Sequence, residues 1–292
     1  MSRTISIIGA GRVGQTLAWR LRQLGWRIGA VVTQSKKTSR AAVRKIGGGT
    51  PQARITPQTL AADVLLIATL DAALEKVAKA LANFGRENCR GKIVLHTSGA
   101  LDRRVLASLA RRGVSTGSLH PMQTFSGRGT PQLKGVIFAV EGDRAARRTA
   151  EKIARSLGGM PVAIRGNSKP AYHAAGALVA GHALALVEAA TQMLTRLGFS
   201  RCRAQQALLP LIRQMLDNYE RLGPRAAWTG PISRGDFSTV AKHGQALRRY
   251  PGEFKDSYAA LSLLAARVLS KKPAATRKRI LQALKNSRGG LD

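Results

Sequence analysis

The chain is poor in negative charge. Its 292 residues carry 15 Asp and Glu against 48 Lys and Arg, a formal net charge of +33 with a pI near 11.7. No acid occurs before Asp63. Aromatic residues are only 4%, so the core must come from Leu, Ala, Val and Ile, which the 44% hydrophobic share can supply. Cysteine is nearly absent. Cys89 and Cys202 stand far apart with no C-x-x-C or metal-ligand spacing, which excludes a disulfide scaffold, gives no metal site and fits reduced thiols in a cytoplasmic protein. Long apolar runs are lacking too. The first is short and glycine-interrupted, unlike a signal peptide. The longest, Ala174 to Val187, contains His182 and falls short of the about 20 residues a membrane span needs. So much positive charge would draw nucleic acid or anionic membrane non-specifically. The cations are dispersed, however, with no helix-turn-helix, zinc-finger or aromatic RNA-binding motif, so no specific nucleic-acid partner is expected. Any non-specific contact with nucleic acid is expected at the basic stretch from Lys271 to Arg288.

What the chain does have is a phosphate-binding signature at its start. Thr4 to Ile8 is a β-branched run, Gly9-Ala10-Gly11-Arg12-Val13-Gly14 follows, and a helical pattern continues through Leu17, Leu21 and Leu24. This is G-x-G-x-x-G between strand and helix. The first glycine allows a tight turn, the second close approach of a pyrophosphate, and the third close helix–strand packing. Free N–H groups at the helix start would face the phosphates. NAD sites usually place an Asp or Glu about 20 residues further on, for the ribose 2′-hydroxyl. Here the second strand, Ile28 to Val32, runs into Thr33-Gln34-Ser35-Lys36-Lys37 and Arg40, without an acid. Hydroxyls and cations suit a 2′-phosphate, so NADP(H) is the expected cofactor.

Strands and helices alternate through the first 165 residues, with further strands expected at Val64–Ala68, Lys92–Leu95, Val114–Leu119, Val136–Val140 and Pro161–Ile164. This predicts a doubly wound, mostly parallel α/β sheet. Beyond Arg165-Gly166-Asn167-Ser168 only helical patterns follow, near 169–197, 201–221, 237–249, 254–270 and 275–286. The expected domains are residues 1–165 for cofactor binding and 166–292 for an all-α substrate and dimerisation domain.

Several motifs fall at expected strand ends or helix starts. Thr69-Leu70-Asp71 and His96-Thr97-Ser98-Gly99 follow strands, where doubly wound sheets bind ligands, although Asp71 also fits a helix N-cap. Leu119-His120-Pro121-Met122-Gln123-Thr124-Phe125 puts an imidazole and an amide in an expected loop, a rim for a polar substrate. Lys169 and His173 share a helix face behind Ser168, a candidate N-cap. The helix N-terminus disfavours a nearby cation, which would make Lys169 a better proton donor. Arg234 can clamp a carboxylate or pair with an acid, and Asp236 is placed to cap the next helix or meet substrate.

In this order, the glycine loop, His96–Gly99, Leu119–Phe125, Phe138–Asp143, Lys169 with Tyr172-His173-Ala174-Ala175, and Gly230–Asp236 resemble bacterial Rossmann-like NADP oxidoreductases named from sequence, whose helical C-terminal domain has no assigned function. The resemblance spans almost the whole chain. That family is similar to ketopantoate reductase, pyrroline-5-carboxylate reductase and the wider 6-phosphogluconate dehydrogenase-like group. In the wider group a helix-borne Lys with an Asn one turn later often serves the reaction. Lys169 matches the Lys, His173 stands in the Asn position, and Gly181-His182 occupy a Ser-Asn position. The resemblance implies a homodimeric NADPH-dependent reductase with the cofactor also touching Thr69, Leu70 and His96 to Ser98. Hydride would reach a C=O or C=N of a carboxylated substrate, a 2-oxo acid such as ketopantoate or a cyclic imine acid. Lys169, with His173 or His120, would supply the proton, and Gln123, Arg234 and Asp236 would hold the substrate. The alternative from another class is a non-catalytic NADP-binding sensor, or a protein that binds an acidic partner or nucleic acid.

Overall fold

Short, nearly continuous apolar runs become strands buried on both faces, and amphipathic runs between them become covering helices, in a computed structural model that describes residues 3–127 and 129–286. The strands are β1 Thr4–Ile8, β2 Arg27–Val32, β3 Thr50–Gln52, β4 Val64–Ile67, β5 Ile93–His96, β6 Ser115–Pro121, β7 Ile137–Gly142 and β8 Met160–Ala163. They form one sheet in the order β3-β2-β1-β4-β5-β6-β7-β8. Every neighbouring pair is parallel except β6 with β7. Strand β3 was not expected, because Thr50-Pro51-Gln52 is short and holds a proline; an edge position tolerates both.

The covering helices are α1 Arg12–Gln23, α2 Lys36–Ile46, α3 Asp71–Ala82, the single turns α4 Arg86–Cys89 and α5 Ala107–Ala110, and α6 Arg144–Ser156. Successive strand residues point to opposite faces, so the central strands β1, β2, β4 and β5 feed two cores. Ile5, Ile7 and Leu66 pack with Leu17 and Leu21 of α1 and Ile153 of α6. Ile8, Leu65 and Ile67 pack with Leu74 and Leu81 of α3. Each such buried side chain contributes roughly 1.5–3 kcal/mol.

After β8 the chain is helical. Helix α7 Lys169–Ala177 continues through a π-helical turn, Leu178–His182, into α8 Ala183–Arg196. Next come α9 Arg201–Ala227, interrupted at Gly223, then α10 Pro231–Arg234, α11 Phe237–Ala246, α12 Gly252–Leu269 and α13 Pro273–Asn286. Strands end where the sequence changes character, but packing divides later. The compact units are Met1–Gly181 and His182–Asp292, so α7 belongs with the sheet. The helical stretch Gly166–Arg196 is long and apolar enough to cross a membrane by length and composition. Its fully buried Lys169, seated on the sheet, does not fit such a span. Arg288, the end of the basic stretch, lies outside the described residues.

The glycine loop makes two different demands. Gly9 has φ +89°, and a Cβ there would meet the Ala68 and Thr69 backbone at 2.7 Å. Gly11 has φ −77° and open space around a built Cβ. Gly9→Ala should therefore destabilise the fold by about 2–4 kcal/mol, and Gly11→Ala by about 1 kcal/mol or less. Urea unfolding of both variants checks this, and equal losses would contradict it.

Candidate active site

The loop between β1 and α1 is shaped for a dinucleotide. Gly9 turns sharply against Ala68, and Gly14 lets α1 sit on the Gly9 carbonyl, 2.5 Å from a built Cβ. Gln15 Nε2 donates to Ala10 O at 2.7 Å and fixes the loop. Val13 packs into the core, while Gly11 and Arg12 are exposed. Beside them Thr69 Oγ1 is buried without a hydrogen-bond partner, and Leu70 is 83% exposed. A free donor, open space at Gly11 and an uncovered apolar side chain fit a bound dinucleotide. At the end of β2, Thr33, Ser35 and Thr38 form a hydroxyl cluster, with Thr33 Oγ1–Thr38 Oγ1 at 2.6 Å and Ser35 Oγ–Thr38 Oγ1 at 2.9 Å. Ser35 also caps α2 by accepting from the Thr38 N–H. Gln34 and Lys36 flank the cluster.

Further along the sheet, at the C-terminal ends of β5 and β6, sits a buried ammonium group. Lys169 opens α7 and has no exposed surface. Its Nζ donates to Ser98 O at 2.8 Å and Ser118 Oγ at 2.7 Å. Burial lowers its pKa to about 8 from the usual 10.5, opposed by the charges of Glu141, Asp102 and Asp71. The shift comes from lost hydration, rather than from the helix start as the sequence suggested. Each acid is anchored. Asp71 accepts from Ser98 Oγ at 2.8 Å. Asp102 accepts from the Arg104 backbone and guanidinium. Glu141, directly across from Ser118 in the β6–β7 pair, accepts from the Arg103 N–H at 2.9 Å, and burial raises its pKa.

Three histidines surround this charge. His96 is fully buried, and its Nδ1 accepts from the Ser98 N–H at 3.2 Å. The proton therefore belongs on Nε2, which has no partner meeting hydrogen-bond geometry. Burial first, and Lys169 second, lower its pKa to about 3. His120 Nδ1 lies 3.0 Å from the Tyr172 hydroxyl, and its ring meets Tyr172 and His173 edge-on. The same two causes lower its pKa to about 4. Burial raises the Tyr172 pKa to about 12. Gly99 closes the cluster, because a Cβ there would overlap both the His173 and His120 rings. His173 is exposed on the rim.

The structure thus gathers Ser98, His120, Lys169 and His173 and redirects other candidates. His120 and Pro121 lie in β6, not in a loop, because pairing with β7 carries the strand two residues beyond Leu119. His96 lacks surface for a cofactor contact and instead holds the Ser98 backbone. Thr97 donates its N–H to Ile67 O. Gln123 is spent on its own loop, bonding Gln132 O and the Thr124 N–H. Ser168 does not cap α7, because the preceding 3₁₀ turn already puts its backbone in helical conformation. Asp71 is the first helical residue of α3 rather than its N-cap. In the second unit, Asp236 caps α11 through Ser238 and Thr239, and Arg234 lines a cavity there. The sequence reading missed Ser118, Tyr172, Glu141, Asp102 and Thr38 as contributors. Ser118 and His120 share a strand face at i, i+2, a signal that needed β6 to be followed to Pro121. Among the described residues, no three His, Cys, Asp or Glu are arranged to hold a metal.

Comparison with known proteins agrees with this architecture. Residues 2–121 match the Rossmann-like domain family, and residues 136–265 match the domain of unknown function DUF2520. The chain is a Rossmann-like domain followed by that second domain. No curated protein sequence matches it. Among solved structures it is similar to a Bacteroides fragilis protein assigned as an NADP oxidoreductase, at 21% identity over 95% of this chain and 98% of that one, TM-score 0.72. An imine reductase from Pseudomonas sp. aligns at 20% identity over 96% and 100%, TM-score 0.66. A reductive aminase from Aspergillus terreus, solved with NADPH and ethyl-5-oxohexanoate, aligns at 19% identity over 100% and 97%, TM-score 0.60. At such identities the likeness is one of fold.

A neutral buried His96 couples stability to acid. Its folded pKa near 3 lies below the ordinary 6.5, so the unfolded chain binds the extra proton and stability falls as pH drops from 6.5 toward 3. This group should contribute about 2 kcal/mol less stability at pH 5 than at pH 7.5. In urea unfolding, His96→Gln should lose correspondingly less on acidification than wild type; an identical loss would contradict the assignment.

Proposed function

We propose that the chain is an NADPH-dependent oxidoreductase that reduces the C=N or C=O bond of a small molecule. The observation that carries this reading is the buried Lys169 ammonium, fixed by Ser98 and Ser118 at the sheet edge where doubly wound folds bind ligands. Gly11, Thr69 and Leu70 would hold the nicotinamide dinucleotide, and Thr33, Ser35, Lys36 and Thr38 its 2′-phosphate. The reduced cofactor supplies the hydride when bound. The named activities of the similar imine reductase and reductive aminase favour a C=N substrate. A cyclic imine acid therefore ranks above a 2-oxo acid such as ketopantoate.

Lys169 acts from beneath the surface. A pKa of about 8 keeps it protonated at neutral pH yet close to the working range of a general acid. Since it has no exposed surface, contact with substrate falls to His173 and His120 on the rim. Lys169 sets the positive field in which the new amine or alkoxide takes its proton, with the exposed His173 as the donor and solvent restoring what it gives. The exposed Leu178, Val179 and Leu184, with small residues between them, support a second copy covering this helix.

NADPH should bind at least tenfold more tightly than NADH, about 1.4 kcal/mol. Fluorescence titration of both measures this, and equal affinities would count against the Thr33–Thr38 site. With an imine that wild type reduces, Lys169→Met should lower kcat about 100-fold or more and change the NADPH Kd by no more than about threefold. The wild-type rate should fall as pH rises through about 8, where Lys169 deprotonates, and Lys169→Met should lack that alkaline limb. Lys169→Arg should not restore activity, because its larger planar fork does not fit a seat built for an ammonium. Full turnover in Lys169→Met would overturn the reading.

A further inference from the structure

The second unit contains a cavity of about 540 Å³ that owes nothing to the reductase reading. Its lining includes five cations, Arg225, Arg234, Lys271, Lys272 and Arg279, and no acid. They come from two places. The corner from the end of α9 through α10 brings Arg225 and Arg234, while the turn into α13 and its first turns bring the other three. Among the described residues, none of the five lies within 4.0 Å of a carboxylate oxygen in an ion pair. The acid that acts on Arg234, Asp236, has its oxygens committed to Ser238 and Thr239. Cations gathered around a concave surface without compensation repel one another, and a bound polyanion relieves that repulsion.

The cavity is also built to orient what it holds. The Arg279 guanidinium lies 4.1 Å from the Phe237 ring centroid, which sets the plane of its donors. Ser270 Oγ is 2.9 Å from Thr276 Oγ1 and accepts from the Lys272 N–H, so the turn carrying the lysines is braced. Arginine forks fit phosphate oxygens in bidentate fashion, and lysines add point charge. Trp228, half-buried in the same lining, offers an aromatic surface. The volume falls within the range of roughly 300–1,000 Å³ typical of small-molecule sites.

We infer that this cavity is a second binding site, for a nucleotide carrying two or more phosphates, with its phosphates on the cations and its base against Trp228. The test is calorimetric titration with ADP and with inorganic pyrophosphate, using full-length protein whose glycine loop is blocked by Gly11→Val. ADP should bind, and pyrophosphate at least fivefold more weakly. Lys272→Glu and Arg279→Glu, both exposed positions, should each weaken ADP at least tenfold while leaving NADPH binding to the unblocked protein unchanged. Trp228→Ala should weaken ADP at least fivefold and pyrophosphate less than twofold. Unchanged ADP affinity in both charge-reversal variants, or pyrophosphate binding as tightly as ADP, would overturn the site. Neither result would bear on the reductase reading, which stands or falls on NADPH binding and Lys169.

Discussion

An ammonium group with no exposed surface must be compensated where it sits, or it costs several kcal/mol. Lys169 is compensated by a carbonyl on the loop after β5 and a hydroxyl on β6, with Asp71, Asp102 and Glu141 acting from further out. Much of the site follows from that seat. Ser98 must turn its carbonyl toward α7, which His96 and Asp71 enforce by holding its N–H and its hydroxyl. Gly99 must lack a side chain, because two imidazoles pack where one would be. Gly166 must do so too, because a Cβ there would meet Asp102 at 2.9 Å. The first helix after the sheet is thus tied to the strand ends, and the compact unit extends beyond the last strand.

The same charge sorts the histidines. With burial, it keeps His96 and His120 neutral well below the usual imidazole range. A neutral His120 can share a proton with Tyr172, whose hydroxyl stays protonated. His173 alone of the three is exposed. The arrangement separates a fixed interior charge from polar groups at the surface, an order suited to protonating a product without exposing the charge to water.

Elements with strong local signals were legible in the sequence. The glycine loop, the alternation of strand and helix, and the change of character after Arg165 all read directly from period and turn residues. Strand β3 was invisible because three residues with a proline carry no period. Strand β6 was cut short at Leu119, and that error hid the shared face of Ser118 and His120. Lys169 and His173 were found from their helical spacing, but no local pattern tells that Ser98 and Ser118 hold Lys169, since those contacts span 71 and 51 residues. The scarcity of acids offered a hint in hindsight. Of the 15 in the chain, three surround the one fully buried lysine among the described residues.

The central claim is that Lys169 is a buried ammonium, charged at neutral pH with a pKa lowered to about 8 by burial, that sets the positive field of the site. The most direct test is NMR titration of the lysine side chains in labelled protein, with the Lys169 resonance assigned by its loss in Lys169→Met. The account predicts a midpoint near pH 8, separated from the exposed lysines. A midpoint at the ordinary value near 10.5 would show Lys169 to be an unperturbed, solvated lysine and would contradict the account.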